Sequence, residues 1–201
     1  MGLLGARIAL KKSDGLRGEA SRFFDERKKE GFWEKFVRPG LVVDVGYKGG
    51  DESAPIFRDA IGLDLDTPGY DGRNLPFDAG AVGTIHASHV LEHIADYAHF
   101  FRECLRTLVL DGTLIIFVPL MEAYEAKRVP PSRFNEDHKR FYTSGRLLFE
   151  IETSLPRESY RIAHLRERFQ PADLERPEEQ HALGPYEIEC VIEKLRPDGI
   201  Y

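Results

Sequence analysis

A chain of 201 residues, 42% hydrophobic and 31% charged, has room for one full hydrophobic core and the composition of an ordinary globular protein. It contains no apolar run of about eighteen residues, which excludes a membrane-spanning helix. Its apolar start before Lys11 and Lys12 is too short for a secretory leader, so the expected compartment is the cytoplasm. The net charge of −6 argues against a nucleic-acid partner, and two distant cysteines, Cys104 and Cys190, exclude a disulfide framework and a thiolate zinc site.

Residues 1–13 read as a loosely attached arm. From Glu19 to Val37, Phe23, Phe24, Phe32, Trp33 and Phe36 recur at near-helical spacing around Gly31, which predicts one or two amphipathic helices ending before Pro39-Gly40. Arg27, Lys28 and Lys29 are flanked by Asp25, Glu26 and Glu30 and read as a solvated helix face. Apolar runs at Leu41–Val45, Ala60–Leu65, Val82–Ser88 and Thr113–Val118 predict four strands covered on both faces. Between the last two, Val90, Ile94, Tyr97, Phe101, Cys104, Leu105 and Leu108 form a helical stripe that Asp111-Gly112 closes with a turn. Strands alternating with helices predict an α/β domain with a mainly parallel sheet.

The last third changes pattern. Residues 144–153 predict a short helix, and Tyr160–Phe169 and Tyr186–Leu195 predict strands. In the second strand Tyr186, Ile188, Cys190 and Ile192 share one side, while Glu187, Glu189 and Glu193 share the other. That alternation is expected of half-exposed antiparallel edge strands.

The first predicted strand runs into Asp44-Val-Gly-Tyr-Lys-Gly-Gly50, whose glycines permit a sharp turn and close approach of a ligand to the backbone. Asp64 ends the second strand, where an acid can accept hydrogen bonds from both hydroxyls of a ribose. On consecutive strands, the two features favour a nucleoside-containing cofactor.

In chain order, Asp44–Gly50, Ile61-Gly-Leu-Asp64, Asp71-Gly-Arg-Asn-Leu-Pro-Phe77 and Ala87-Ser-His-Val-Leu-Glu-His-Ile94 resemble successive motifs of class I S-adenosylmethionine-dependent methyltransferases. Leu105–Leu114 is similar to their later helix–turn–strand segment. The resemblance is to type 11-like members with an abbreviated second helix, and to enzymes that methylate bacterial saccharides. It implies a Rossmann-like, mainly parallel sheet with helices on both faces and a C-terminal antiparallel hairpin. One methyltransferase domain would then span 1–201, with an N-terminal helical segment (1–38), a cofactor-binding core (39–119) and a substrate loop, helix and hairpin (120–201).

The resemblance also implies S-adenosyl-L-methionine as cofactor. Asp44, Gly46, Tyr47, Gly49 and Gly50 would surround its methionine part. Asp64 and Leu65 would take the ribose, Asp71 and Gly72 the adenine, and Ser88 a further cofactor contact. Two departures stand out: Lys48 occupies a position usually held by glycine, and Asp71 follows Asp64 by only seven positions.

His86, His89 and His93 lie around the end of the third strand, and His138 lies in the loop after the fourth. A neutral imidazole there can accept the proton that a hydroxyl or amine must lose, which makes His89 and His138 the candidate bases, with Asp137 or Glu92 as carboxylate alternatives. His99, His164 and His181 read as structural or surface residues. Tyr124, Lys127, Arg128, Arg133, Asp137, Arg140 and Tyr142 suggest a polar acceptor such as a sugar or glycan. The expected partners are that acceptor alone, with neither nucleic acid nor membrane, and a homodimer is a candidate assembly. No resident metal is expected. Two other readings stay open. His89-Val-Leu-Glu92-His93 fits the H-x-x-E-H signature of zinc proteases, with Glu167 as a third ligand. Lys48 in the glycine loop would suit a methyltransferase-like module without catalysis.

Overall fold

The expected apolar runs become strands β1 (Leu41–Val45), β2 (Ile61–Leu63), β3 (Val82–Ser88) and β4 (Leu108–Pro119), joined by β5 (Tyr160–Phe169) and β6 (Tyr186–Lys194) in one sheet. The computed structural model describes residues 10–48, 54–125, 133–177 and 179–196. Gly49, Gly50, Lys127 and Arg128 therefore lie outside the described residues. The strand order is β2-β1-β3-β4-β6-β5. The first four strands are parallel, and β6 runs antiparallel to both β4 and β5. This is the Rossmann-like sheet with a C-terminal hairpin that the sequence implied.

Short helices α1 (Gly18–Arg22), α2 (Phe24–Lys29) and α3 (Phe32–Phe36) replace the one or two longer ones expected. The break before α3 falls at Gly31, whose φ of +72° is left-handed and ends regular helix. These helices bury Phe24, Phe32, Trp33 and Phe36 against Val42, Ile115, Phe117 and Val191 of the sheet. Trp33 is fully buried, and its indole N–H donates to the Phe24 carbonyl at 3.0 Å. Truncating such a ring to Ala costs about 3–5 kcal/mol.

The opposite face carries α4 (Tyr97–Thr107) and α5 (Ser144–Ser154). Phe101 and Cys104 of α4 and Leu147 and Ile151 of α5 pack on Val43, Ile85, Leu114 and Ile116. Each helix starts at a side-chain cap: Asp96 accepts from His99 N–H, and Thr143 accepts from Arg146 N–H. The predicted stripe from Val90 to Leu108 is interrupted. A 3-10 turn at Leu91–His93 precedes α4, and His89 before it holds a φ of +53°. Asp111-Gly112 does not close a helix; it lies inside β4, with Asp111 at φ +62°.

The hairpin departs most from expectation. Strand β6 is not an edge strand, because β4 and β5 flank it on both sides. Glu187, Glu189 and Glu193 are buried rather than half-exposed. Glu189 pairs across the ladder with Phe117, so its side chain lies on the face that α1–α3 cover. Arg27, read above as part of a solvated face, points inward and is fully buried. Its guanidinium bonds both Glu187 and Glu189 and stacks 3.6 Å from the Phe117 ring centre.

Candidate functional site

Parallel strands end on a common edge, and side chains from the loops beyond β1–β4 converge there. They line a cleft of about 920 Å³, a size suited to a cofactor together with part of an acceptor. Strand order sets its layout. Gly46, Lys48, Asp64, Leu65 and Gly72 follow the β1–β2 end, whereas Tyr124, Asn135, Asp137 and Tyr186 follow the β4–β6 end. Ser88, His89 and His93, beyond β3, lie between the two groups.

At the first end Asp64 follows β2 directly. Its carboxylate accepts from the Lys48 N–H at 3.0 Å and the Leu65 N–H at 2.7 Å, so the acid is fixed while each oxygen retains acceptor capacity. Lys48 also reaches Asp66 with its ammonium at 2.6 Å, and this contact, opposed by slight desolvation, raises its pKa. The lysine in the glycine loop is thus turned onto Asp66 while its backbone supports Asp64. Leu65 is 79% exposed at the cleft, an apolar surface open to a ligand. Gly72 lines the cleft at φ +73°, and a Cβ there would lie 2.5 Å from Leu65 Cδ2.

Ser88 ends β3 in the cleft wall. Its hydroxyl is buried and has no hydrogen-bond partner among the described residues. A buried hydroxyl left without a partner is destabilising, and a ligand in the cleft would relieve this.

Three predicted cofactor residues do not line the cleft. Asp44 is buried beneath the glycine turn, where it accepts from the Ile56 N–H at 2.5 Å and lies 2.6 Å from His86 Nδ1. It anchors the chain returning from that turn. Tyr47 covers Gly62, where a Cβ would sit 2.6 Å from the tyrosine ring. Asp71 is exposed and accepts from the Asn74 N–H, the Arg73 N–H and the Asn74 side-chain amide. Those bonds, led by Asn74, lower its pKa to about 2. The carboxylate shapes its own loop, which leaves Gly72 as the cleft-facing member of that pair.

The two candidate bases are placed differently from each other. His89 lines the cleft, but its Nε2 lies 3.0 Å from Glu187 Oε1 and its Nδ1 lies 3.6 Å from Glu92 Oε1. Burial opposes the charged ring; the two carboxylates outweigh it and raise the His89 pKa well above the usual value. With its Nε2 engaged by Glu187, His89 is better suited to hold the hairpin to the turn after β3 than to take a proton from an acceptor. His138 is buried behind the cleft wall. Its Nδ1 bonds Glu125, and its Nε2 faces Glu92 Oε1 at 4.0 Å with no hydrogen-bond partner among the described residues. His93 does line the cleft, with Nδ1 2.9 Å from Asp137 Oδ2 and Nε2 4.0 Å from Glu92 Oε1.

Other residues emerge only from the tertiary structure. His99, read as structural, reaches the cleft and lies 3.0 Å from the Asn74 side-chain oxygen. Tyr70, Phe100, Phe134 and Tyr186 contribute aromatic wall. Of the zinc-protease set, His89 is bound to Glu187, and Glu167 accepts from Ser144 on the exposed hairpin. Neither joins Glu92 and His93; His138 does.

Residues 51–116 match the family described as a methyltransferase domain. Comparison with curated proteins gives no significant match. A methyltransferase structure from Archaeoglobus fulgidus superposes with a TM-score of 0.55 at 14% identity, covering 89% of this chain and 96% of that one. One from Mesorhizobium loti gives 0.51 at 19% identity, covering 78% and 92%. The [4+2]-cyclase SpnF gives 0.54 at 14% identity, covering 95% and 88%. The fold is that of these S-adenosylmethionine-dependent methyltransferase structures, and the family match covers residues 51–116.

Proposed function

We propose that this chain, acting as a single domain, transfers a methyl group from S-adenosyl-L-methionine to an oxygen or nitrogen of a polar small molecule, with sugars and glycans as the acceptor class. The observation that carries this reading is the position of Asp64, Leu65, Gly72 and Ser88 around one end of a cleft inside the methyltransferase-matched segment. Those residues suit the cofactor: a fixed carboxylate for ribose hydroxyls, an exposed apolar face and a turn for the purine, and a buried hydroxyl in need of a partner. Bound there, the cofactor supplies an electrophilic methyl on a sulfonium.

The protein's own work is alignment in a partly enclosed cleft. Asn135, Asp137, Lys139 and Tyr124 line the other end and offer the mixture of donors, acceptors and aromatic face that a carbohydrate uses. Removal of the acceptor proton is assigned to the wall formed by Glu92, His93 and His138, since His89 is committed to Glu187.

Calorimetry with S-adenosylmethionine, S-adenosylhomocysteine and NAD tests the reading. Binding of both adenosyl compounds with no binding of NAD is expected; a preference for NAD, or no adenosyl binding, would end it.

A further inference from the structure

The wall behind the cleft contains a polar cluster whose hydrogen bonding is incomplete among the described residues. Glu92 is completely buried, yet neither of its carboxylate oxygens has a hydrogen-bond partner among the described residues. The His138 side chain is 1% exposed, and its Nε2 is also without a hydrogen-bond partner. With His89 Nδ1 at 3.6 Å and His93 and His138 Nε2 at 4.0 Å, the carboxylate has imidazoles near it but no hydrogen bond, an arrangement that is costly unless something occupies the space between them.

We propose that Glu92, His93 and His138 bind one divalent cation of the zinc class, placed at the acceptor end of the cleft. One ligating atom from each residue lies within 4.8 Å of the other two, and Glu92 Oε1 is 4.0 Å from both His93 Nε2 and His138 Nε2. Donors around a tetrahedral zinc stand about 3.4 Å apart, so side-chain adjustments of under about an ångström close the set. Two imidazoles and a carboxylate match the ligand preference of zinc and its neighbours.

The surroundings of the histidines point the same way. His138 Nδ1 bonds Glu125, so that ring has a carboxylate behind it and its Nε2 toward Glu92; His93 Nδ1 lies 2.9 Å from Asp137 Oδ2 but without hydrogen-bond geometry. Metal-binding histidines use that outer carboxylate to fix ring orientation and keep the second nitrogen available. His89 stays outside the set, because its Nε2 is held by Glu187.

Three protein ligands leave a coordination position open. Since His93 lines the cleft, that position faces the acceptor. A hydroxyl bound there would be acidified by the cation and release its proton to solvent. This use of the metal rests on the methyltransferase reading; the binding of the metal does not. The site also differs from the H-x-x-E-H set, in which Glu92 would act as a base and His89 as a ligand.

The test uses full-length protein stripped with a chelator and titrated with cobalt(II), then zinc(II), alone. One cobalt per chain is expected, with visible d–d absorption that zinc displaces. Glu92→Gln and His138→Gln should each weaken cobalt binding by more than about a hundredfold, and Glu125→Gln by about ten- to a hundredfold through the outer carboxylate. His93→Gln, at a partly exposed position, tests the same site if a buried variant fails to fold. Circular dichroism and S-adenosylhomocysteine calorimetry on every variant separate the two proposals. Metal binding without adenosyl binding would leave the site standing and end the methyltransferase reading. Absence of stoichiometric cobalt, or cobalt binding unchanged in folded Glu92→Gln, His93→Gln and His138→Gln, would overturn the site.

Discussion

Two buried groups of charges flank the turn after β3, and they are built in opposite ways. Around β6, Glu187 and Glu189 meet Arg27, Arg168, His89 and His164. Around Glu92, His89 approaches to 3.6 Å and His93 and His138 to 4.0 Å, but the carboxylate oxygens are left without a hydrogen bond among the described residues. Removing one partner from a buried pair leaves an uncompensated charge, so the first group is closed to ligands by its own stability. The second group is closed only by something added. Similar residue types thus give a structural lock in one place and a binding site in the other, according to whether a guanidinium is within reach.

The largest effect expected from this contrast is on stability. Arg27→Met should destabilise the fold by about 3–5 kcal/mol, because two buried carboxylates lose their cation. Glu92→Gln should leave metal-free protein as stable as the parent, or more so. Urea denaturation of both variants measures the difference; equal losses would mean that Glu92 is also part of a lock.

Next in size is the cofactor end of the cleft. Asp64→Ala should weaken S-adenosylhomocysteine binding by roughly 2–4 kcal/mol, as two charge-assisted hydrogen bonds are lost. Asp71→Ala should have a much smaller effect on affinity, since its carboxylate is engaged with Asn74 and Arg73. Calorimetry that ranks the two in reverse would return Asp71 to the adenine site.

The lock also predicts a pH dependence. His89 has a raised pKa in the folded state, so its contribution is complete below the usual value of 6.5 and is lost as pH rises through the folded value. Glu187 is opposed by burial but held by Arg27 and His89, which lower its pKa to about 2. Its contribution is present above the usual 4.5 and is lost as pH falls toward 2. Stability should therefore plateau near neutrality, and His89→Gln should flatten the alkaline decline while leaving most of the acid limb. An unchanged alkaline limb would show that His89 is not charged in the lock.

The smallest effect expected is at Ser88. Ser88→Ala should leave stability unchanged or slightly increased and weaken adenosyl binding by about 0.5–1.5 kcal/mol, since the hydroxyl has no hydrogen-bond partner to lose among the described residues.

Much of this molecule was legible before folding. The β-branched runs gave β1 and β3 to the residue, the run Tyr160–Phe169 read as a strand is β5, and the spacing of Asp64 after the glycine turn placed an acid at the cleft. These features are local: strand propensity, period-two burial and position after a strand all act within a few residues. What failed was the reading of which charged side chains meet solvent. The charged side of β6 and Arg27 of α2 each read as surface, yet Arg27 and Glu187 are buried against each other across 160 residues of sequence, while Lys28 and Lys29 are exposed as expected. Composition cannot reveal this, because a charge is tolerated in the interior only when its partner arrives from elsewhere in the chain.

The histidines divide along the same line. That His89, His93 and His138 gather near one strand edge followed from sequence order alone. Only tertiary packing decided that Glu187 reaches His89, that Glu125 reaches His138, and that Glu92 is buried without a hydrogen bond among the described residues. The fold class was set by local patterning, which one segment can carry. The chemistry of each imidazole was set by its nearest carboxylate, which other segments supply.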